Sequence, residues 1–256
     1  MVLPHDEIGS GPAVVLIHAG IADRGMWEEH LRPLAAAGYR VVPVDLPGFG
    51  EAPAAPGGAA PWADVIETMD ALGIERATLV GNSFGGAVAL RVALTAPGRV
   101  AALALISAPS PAFEPSPELE AVWEAEEAAL ARGDFDGAVE VVIEAWTQPD
   151  APPKLRDRVA SMQRQAYAAQ AGVATDPESS DPFDDDLDAL SRVDRPALVA
   201  AGERDYREFV SGAEAMARVL PRAQHVVLEG AGHLAPLETP DAFRELLLGF
   251  LANAAR

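Results

Sequence analysis

Six short apolar segments recur along this 256-residue chain, and most of them are separated by stretches of helical composition. This alternation predicts a parallel β-sheet, because parallel strands need a long crossover connection that is usually a helix. The apolar character of the segments is almost continuous, which is typical of strands covered on both faces. The predicted strands are 13–17, 41–44, 77–80, 100–106, 197–201 and 225–228.

Segments of helical composition lie between and after these strands, and they complete an α/β pattern. Together the two kinds of segment predict a mostly parallel, doubly wound sheet with helices on both faces. The predicted helices of this core are 26–37, 61–72, 83–96, 206–220 and 240–252.

The alternation stops over residues 110–190, where the sequence favours helices and no convincing strand is found. Ser116 followed by proline predicts a helix start, Gly133 predicts its end, and Asp134 is expected near the start of a second helix. A third helix carries an apolar stripe. Because short helices are marginal in water, these stripes are expected to pack on each other and on the loop edge of the sheet.

The chain is therefore divided into a first core part, 1–109, a helical insertion, 110–190, and a second core part, 191–256. The insertion follows the strand at 100–106, which places it over the carboxyl ends of the strands. Open α/β sheets bind their ligands at that edge. The insertion is predicted to be a lid.

Composition excludes several classes of function. The formal charge of −20 would repel nucleic acid and anionic membranes, so neither is an expected partner. The absence of cysteine excludes disulfides, thiol catalysis and cysteine metal sites. No apolar run is long enough to cross a bilayer, and the first residues lack a basic start followed by an apolar stretch. A cytoplasmic protein of unspecified oligomeric state is expected.

The segment Gly81-Asn82-Ser83-Phe84-Gly85 lies where a predicted strand gives way to a helix. A turn of this kind forces its central residue into sparsely populated backbone angles, and side chains two positions away would collide with the crossing chain. Glycine removes that bulk, while the helix N-terminus gathers unpaired N–H groups beside the serine. Ser83 is therefore a candidate nucleophile; the alternative is a glycine-rich connection without chemistry.

A serine hydroxyl needs a base to take its proton and an acid to orient that base. His233 follows the last predicted strand in a glycine-rich turn, and Asp205 directly follows the strand before it. Ser83, Asp205 and His233 are therefore the predicted catalytic residues. Glu203 is the nearest alternative acid. His18 also follows a strand, but it is interpreted as a structural hydrogen-bonding residue.

Acyl transfer also needs hydrogen-bond donors aimed at the oxyanion that forms during the reaction. One predicted donor is the backbone N–H of Phe84, which follows the nucleophile at the helix start. The other is the backbone N–H of Gly20, in the loop after the first core strand.

The sequence combines residues 16–20 and Trp27 with Asp45-Leu46-Pro47-Gly48-Phe49-Gly50, 81–86, 202–205 and 230–233. This combination resembles that of a known family, the α/β-hydrolase superfamily with a helical lid. The similarity covers nearly all of the core, while the insertion matches in position and helical character only. The resemblance implies the same roles for Ser83, His233, Asp205, Gly20 and Phe84. Its members most similar to this chain include small carboxylesterases, enol-lactone hydrolases and carbon–carbon bond hydrolases.

A serine at the turn, instead of a carboxylate, favours acyl chemistry. The leading hypothesis is hydrolysis of carboxylic esters of small substrates through an acyl-enzyme, without a cofactor. The alternative enzymatic hypothesis is cleavage of a carbon–carbon bond in a diketone, or of an enol lactone, by the same residues. A cofactor-independent oxygenase or a non-catalytic receptor on the same fold is ranked lower.

The substrate would be selected by the insertion. Trp123, Trp146 and Met162 are candidate substrate-binding residues, although such side chains at helical spacing are also typical of a core. The acidic stretch 181–186 is interpreted as a solvated loop, and no metal site is expected.

Overall fold

The computed structural model describes residues 1–55, 60–111, 113–173 and 186–254. Six strands form one sheet, in which each neighbouring pair is parallel. They are β1 (Ala13–Ile17), β2 (Arg40–Val44), β3 (Ala77–Asn82), β4 (Val100–Ile106), β5 (Ala197–Gly202) and β6 (Ala223–Leu228). Their order across the sheet is β2-β1-β3-β4-β5-β6. The predicted α/β fold class is confirmed, and each predicted strand is present within two residues at either end.

Helices follow the predicted positions with small shifts at their ends. They are α1 (Glu28–Ala36), α2 (Pro61–Ala71), α3 (Phe84–Thr95), α4 (Pro117–Ala131), α5 (Phe135–Trp146), α6 (Pro153–Gln170), α7 (Arg207–Val219), the single turn α8 (Ala235–Glu238) and α9 (Pro240–Ala254). The helix predicted from residue 26 begins at Glu28, because Arg24–Trp27 form a 3-10 turn capped by Asp23. The helix predicted from residue 83 begins at Phe84, so Ser83 lies at the junction between β3 and α3.

The two faces of the sheet each carry a hydrophobic core layer. Side chains alternate along a strand, so in β1 Val14 and Leu16 join one buried cluster while Val15 and Ile17 join the other. The first cluster also takes in side chains of α1 and α9, and the second takes in side chains of α2, α3 and α7. This arrangement is the doubly wound sheet that the sequence predicted.

Strand β6 departs from the prediction that the strands are covered on both faces. It lies at the edge of the sheet, most of its residues are partly or fully exposed, and Val227 keeps 44% of its surface accessible. The β-branched composition of the segment reflects strand preference more than burial.

Helices α4, α5 and α6 lie between β4 and β5 in the chain, and their ends follow the predicted signals. The Ser116 hydroxyl accepts the N–H of Leu119 at the start of α4, and the Asp134 carboxylate accepts the N–H of Gly137 at the start of α5. Gly133 has a φ of 73° just after α4, as expected for a residue that ends a helix. The apolar stripes pack into the same buried cluster as α1 and α9, through residues that include Leu119, Val139, Val142, Ile143, Trp146, Val159 and Met162.

Of the acidic stretch 181–186, only Asp186 is among the described residues, where it caps the 3-10 turn Leu187–Arg192. Among the described residues, no group of three or more His, Asp or Glu side chains is placed to hold a metal ion. No helix in the described part of the chain combines the length and apolar character needed to cross a membrane.

Candidate active site

Ser83 occupies a strained turn between β3 and α3. Its φ of 52° and ψ of −119° are unusual for a residue with a side chain, and its N–H donates to the carbonyl of Ile106 at 2.8 Å. A Cβ on Gly81 would overlap the backbone of Gly85, and one on Gly85 would overlap the carbonyls at the end of β1. Only glycine fits at these two positions, so the turn has the geometry that the motif predicted.

The two predicted oxyanion donors lie beside each other. A Cβ placed on Gly20 would be 3.5 Å from the Cβ of Phe84, so the loop after β1 reaches the start of α3. The preceding residue, Ala19, donates its N–H to the sulfur of Met26 at 3.4 Å. Gly20 is thus close to Phe84, the residue that follows Ser83.

His233 and Asp205 are joined by a hydrogen bond. The Nδ1 of His233 lies 2.9 Å from Oδ1 of Asp205, and the two side chains keep only 4% and 0% of their surface accessible. Because an ionised carboxylate only accepts, Nδ1 carries the proton and Nε2 is the nitrogen left to act as a base. The same Oδ1 accepts the N–H of Tyr206 at 2.8 Å, which fixes the carboxylate at the start of α7.

The alternative acid, Glu203, has a different role. Its side chain is exposed, and Oε2 accepts the N–H of Gly230 at 3.0 Å. The loops after β5 and β6 are also tied by the N–H of Arg204, which donates to the carbonyl of Ala231 at 2.8 Å. Glu203 therefore stabilises the turn before His233, whereas Asp205 contacts the imidazole itself.

Asn82 connects the serine turn to the histidine loop. Its buried Nδ2 donates to the carbonyl of Ile106 at 3.1 Å and to the carbonyl of His233 at 3.0 Å. The Asn82 amide therefore holds the backbone of His233 next to the residue that precedes Ser83. The sequence singled out Asn82 only as a point of resemblance and missed this role.

His18 is fully buried, and both ring nitrogens are occupied. Leu46 donates its N–H to Nε2 at 2.9 Å, so Nδ1 carries the proton and donates to the carbonyl of Ala19 at 2.8 Å. Burial lowers the pKa of His18 to about 4, against the opposing effects of the Ala19 carbonyl and the Asp45 carboxylate. As predicted, His18 is a structural hydrogen-bonding residue.

Asp45 braces the loop after β2. Its buried carboxylate accepts the backbone N–H groups of Arg24 at 2.7 Å and Glu51 at 2.9 Å, and it forms an ion pair with the Arg24 guanidinium. A buried charge needs such partners, since leaving it unpaired would be costly. This agrees with the family resemblance, in which Asp45 is part of a loop motif.

The three candidate substrate-binding side chains have different surroundings, although Trp146 and Met162 belong to the same buried cluster. Trp146, at the end of α5, packs on the imidazole of His233 with ring centroids 4.4 Å apart. Met162 is buried, with its Cε close to Gly25. Trp123 is 40% exposed on α4.

The sequence did not indicate two residues that contact the histidine loop. Phe209, on the buried face of α7, lies with its ring centroid 4.5 Å from that of His233. Glu238 accepts the N–H of Gly232 at 2.6 Å and that of Gln148 at 3.2 Å. Burial raises the pKa of Glu238. A glutamate shortly before a proline gives no sign of such a role, and the apolar period of α7 could indicate only that Phe209 is buried, not that it contacts His233.

A cleft of about 960 Å³ lies beside Asp205, between α4, α5 and α7. Of the three predicted catalytic residues, only Asp205 lines it. Carboxylates dominate the charged lining. Besides Asp205, the charged residues are Glu114, Glu118, Glu144 and Glu208, together with Arg204 and Arg207. The lining includes neither Ser83 nor His233, so this cleft is distinct from the space above the serine turn.

Comparison with known proteins decides the family. A model of the alpha/beta hydrolase fold matches residues 12–240. The chain belongs to the α/β-hydrolase family. It is a hydrolase of that fold, as the resemblance implied.

Proteins similar to this α/β-hydrolase are named for several different reactions. A 2-hydroxy-6-oxo-6-phenylhexa-2,4-dienoate hydrolase of Burkholderia cepacia is 30% identical, over 97% of this chain and 90% of the relative. A thermophilic esterase of Thermogutta terrifontis superposes with a TM-score of 0.81 at 29% identity, over 98% of this chain and 93% of the esterase. The enol-lactonase of Burkholderia xenovorans LB400 superposes with a TM-score of 0.82 at 25% identity, over 98% of this chain and 96% of the enol-lactonase.

The buried, neutral His18 should make stability fall in acid. Its pKa is about 4 in the folded state and near 6.5 when unfolded, so between these values the unfolded chain binds more protons. The free energy of unfolding should therefore fall by up to about 1.4 kcal/mol per pH unit as the pH drops from 6.5 to 4. We expect urea titrations across this pH range to show a smaller fall in the free energy of unfolding for His18→Gln than for wild type. The glutamine amide oxygen can still accept the N–H of Leu46. An identical decline in both proteins would contradict the role of His18.

Proposed function

We propose that this α/β-hydrolase cleaves carboxylic esters of small substrates through an acyl-enzyme formed on Ser83. The observation that carries the proposal is the buried hydrogen bond between His233 and Asp205. Their loops lie at the same edge of the sheet as the strained Ser83 turn, because the strands before them are parallel. This pairing leaves Nε2 of the imidazole to take a proton.

In the proposed reaction, Nε2 of His233 removes the hydroxyl proton of Ser83 as Oγ attacks the ester carbonyl. The Asp205 carboxylate stabilises the imidazolium that results and keeps the ring in the required tautomer. The N–H groups of Gly20 and Phe84 donate to the oxyanion. The imidazolium then protonates the leaving alcohol, and a water activated by the same histidine hydrolyses the acyl-enzyme.

The similarity to the Thermogutta terrifontis esterase supports ester cleavage. The second candidate function is hydrolysis of a carbon–carbon bond in a diketone, and the extent of the match to the Burkholderia cepacia relative favours it. Enol-lactone hydrolysis has similar support from the enol-lactonase. A receptor would have no need of the acid–base pair, so a non-catalytic role has less support. Trp123, Trp146 and Met162 remain candidate substrate contacts.

A fluorophosphonate should label the wild-type protein at Ser83, because the reagent traps an activated serine. The measurement is intact-protein mass spectrometry followed by peptide mapping. The Ser83→Ala variant, with a folded state verified by circular dichroism, should remain unlabelled. Folded wild-type protein that stays unlabelled would exclude an activated Ser83.

Replacing the acid should separate its role from that of its neighbour. Asp205→Asn keeps an acceptor for Tyr206 but favours the wrong imidazole tautomer, so kcat should fall by about 10³- to 10⁴-fold. Glu203→Gln, in the same loop, should keep kcat within roughly threefold, because the Glu203 side chain accepts from Gly230, an acceptor role that the glutamine amide oxygen can also fill. The measurement is steady-state kinetics on one aryl ester. The reverse ranking of the two variants would move the acid to Glu203.

Substrate preference can be tested by comparing kcat/KM for short acyl aryl esters with that for a ring-fission diketone. We expect the esters to be faster, since acyl transfer needs only the groups described above. Ser83→Ala should abolish the preferred activity in either case. Turnover of the diketone that exceeds ester turnover by orders of magnitude would replace the leading proposal with the carbon–carbon hydrolase.

A further inference from the structure

The segment that ends α5 contacts the loop of His233 at several points. Trp146 packs on the imidazole, and the backbone N–H of Gln148 donates to Glu238, whose other oxygen accepts the N–H of Gly232. The side-chain amide of Gln148 also occupies the space where a Cβ on Gly232 would lie. Residues 146–148 come from the helical insertion, whereas the histidine loop belongs to the core.

The aromatic contacts restrict the imidazole itself. The hydrogen bond from Nδ1 to Asp205 fixes one edge of the ring, but it does not prevent the ring from tilting about that bond. Trp146 and Phe209, both buried, lie 4.4 and 4.5 Å from the imidazole by ring centroid. Phe209 comes from α7 and Trp146 from α5, so the ring is confined between the core and the insertion.

The polar contact restricts the backbone that carries the imidazole. Gly232 immediately precedes His233 and has no Cβ, which leaves its backbone more freedom than other residues have. The Glu238 carboxylate reduces that freedom, because a bond of 2.6 Å to a carboxylate is short and charge-assisted. Since Glu238 is partly buried, it needs both of its donors, and one of them is Gln148 of the insertion.

We propose that Trp146, Gln148 and Glu238 form a brace that fixes His233 for proton transfer, so that the insertion helps to build the catalytic base as well as to cover the site. These are positioning residues, which act through His233. The inference rests on the proposed function, in which His233 is the base. It assigns to Trp146 a role different from substrate contact.

The two roles of Trp146 predict different kinetics. Loss of a positioning residue should lower kcat with little change in KM, whereas loss of a uniform substrate contact raises KM at constant kcat. Trp146→Ala should lower kcat by roughly 10²-fold, as expected for a misplaced reacting group. Trp146→Phe should restore kcat to within roughly threefold of wild type, because a ring still packs on the imidazole. Phe135→Ala, an exposed aromatic at the other end of α5, is the matched control and should behave as wild type.

Glu238→Gln is an independent variant in case Trp146→Ala does not fold. Its single amide oxygen can accept from only one of Gly232 and Gln148, and its NH2 group would face the other N–H. We expect a fall in kcat of about tenfold, with KM little changed. Glu245→Gln, an exposed glutamate on α9, is the control and should behave as wild type.

Proton NMR of the downfield Nδ1–H of His233 gives a readout that does not depend on turnover. The signal should be sharp in wild type and in Trp146→Phe, and broadened or lost in Trp146→Ala and Glu238→Gln. A raised KM with unchanged kcat in Trp146→Ala, or an unchanged signal and kcat in both disrupting variants, would overturn the brace. Equal losses in Trp146→Phe and Trp146→Ala would also overturn it. If wild type showed no hydrolysis and no labelling of Ser83, the proposed function would fail, while the NMR signal would still test the brace.

Discussion

Three backbone contacts without room for a side chain hold the candidate site together. Gly81 lies against Gly85 across the serine turn, Gly85 lies against the end of β1, and Gly202 lies against the loop that carries His233. Each contact packs the carboxyl end of a strand, or the turn that follows it, directly against the backbone of another turn or strand end. The strain at Ser83 persists because these contacts and the hydrogen bond to Ile106 leave the turn no relaxed alternative. The positions of Ser83, His233 and Asp205, the proposed nucleophile, base and acid, all depend on this close packing.

The sequence predicted the sheet because its strand segments are short, apolar and separated by helices, and a parallel sheet has few other solutions. It predicted Ser83, Asp205 and His233 as one group for the same reason: parallel strands bring their carboxyl ends to one edge. The pairing of His233 with Asp205 instead of Glu203 could not be derived from spacing. Both acids follow β5, and the choice depends on the turn at Gly202, which sends one side chain to the imidazole and the other to Gly230.

Contacts between distant segments were the part that the sequence could not reveal. Glu238 and Gln148 are 90 residues apart and belong to no motif. The Glu238 carboxylate nevertheless accepts the backbone N–H groups of both Gln148 and Gly232. The helical spacing of Trp146 was also typical of a core residue, and its side chain is buried on α5. Its periodicity could not show that this face ends on the imidazole of His233. Periodicity predicts which residues are buried, but the partner is set by how the helices pack.

The division between core and insertion is therefore less sharp in the packing than in the chain. The apolar stripes of α4, α5 and α6 join the same buried cluster as Trp27 and Phe243 of the core, so these three helices share the hydrophobic core of the sheet. A segment held in this way cannot shift without disturbing contacts around the base, because close-packed interiors transmit displacement. If His233 is the base, as proposed, variation in the insertion that alters substrate choice must also preserve the contacts at His233, and this requirement would couple specificity to the geometry of proton transfer.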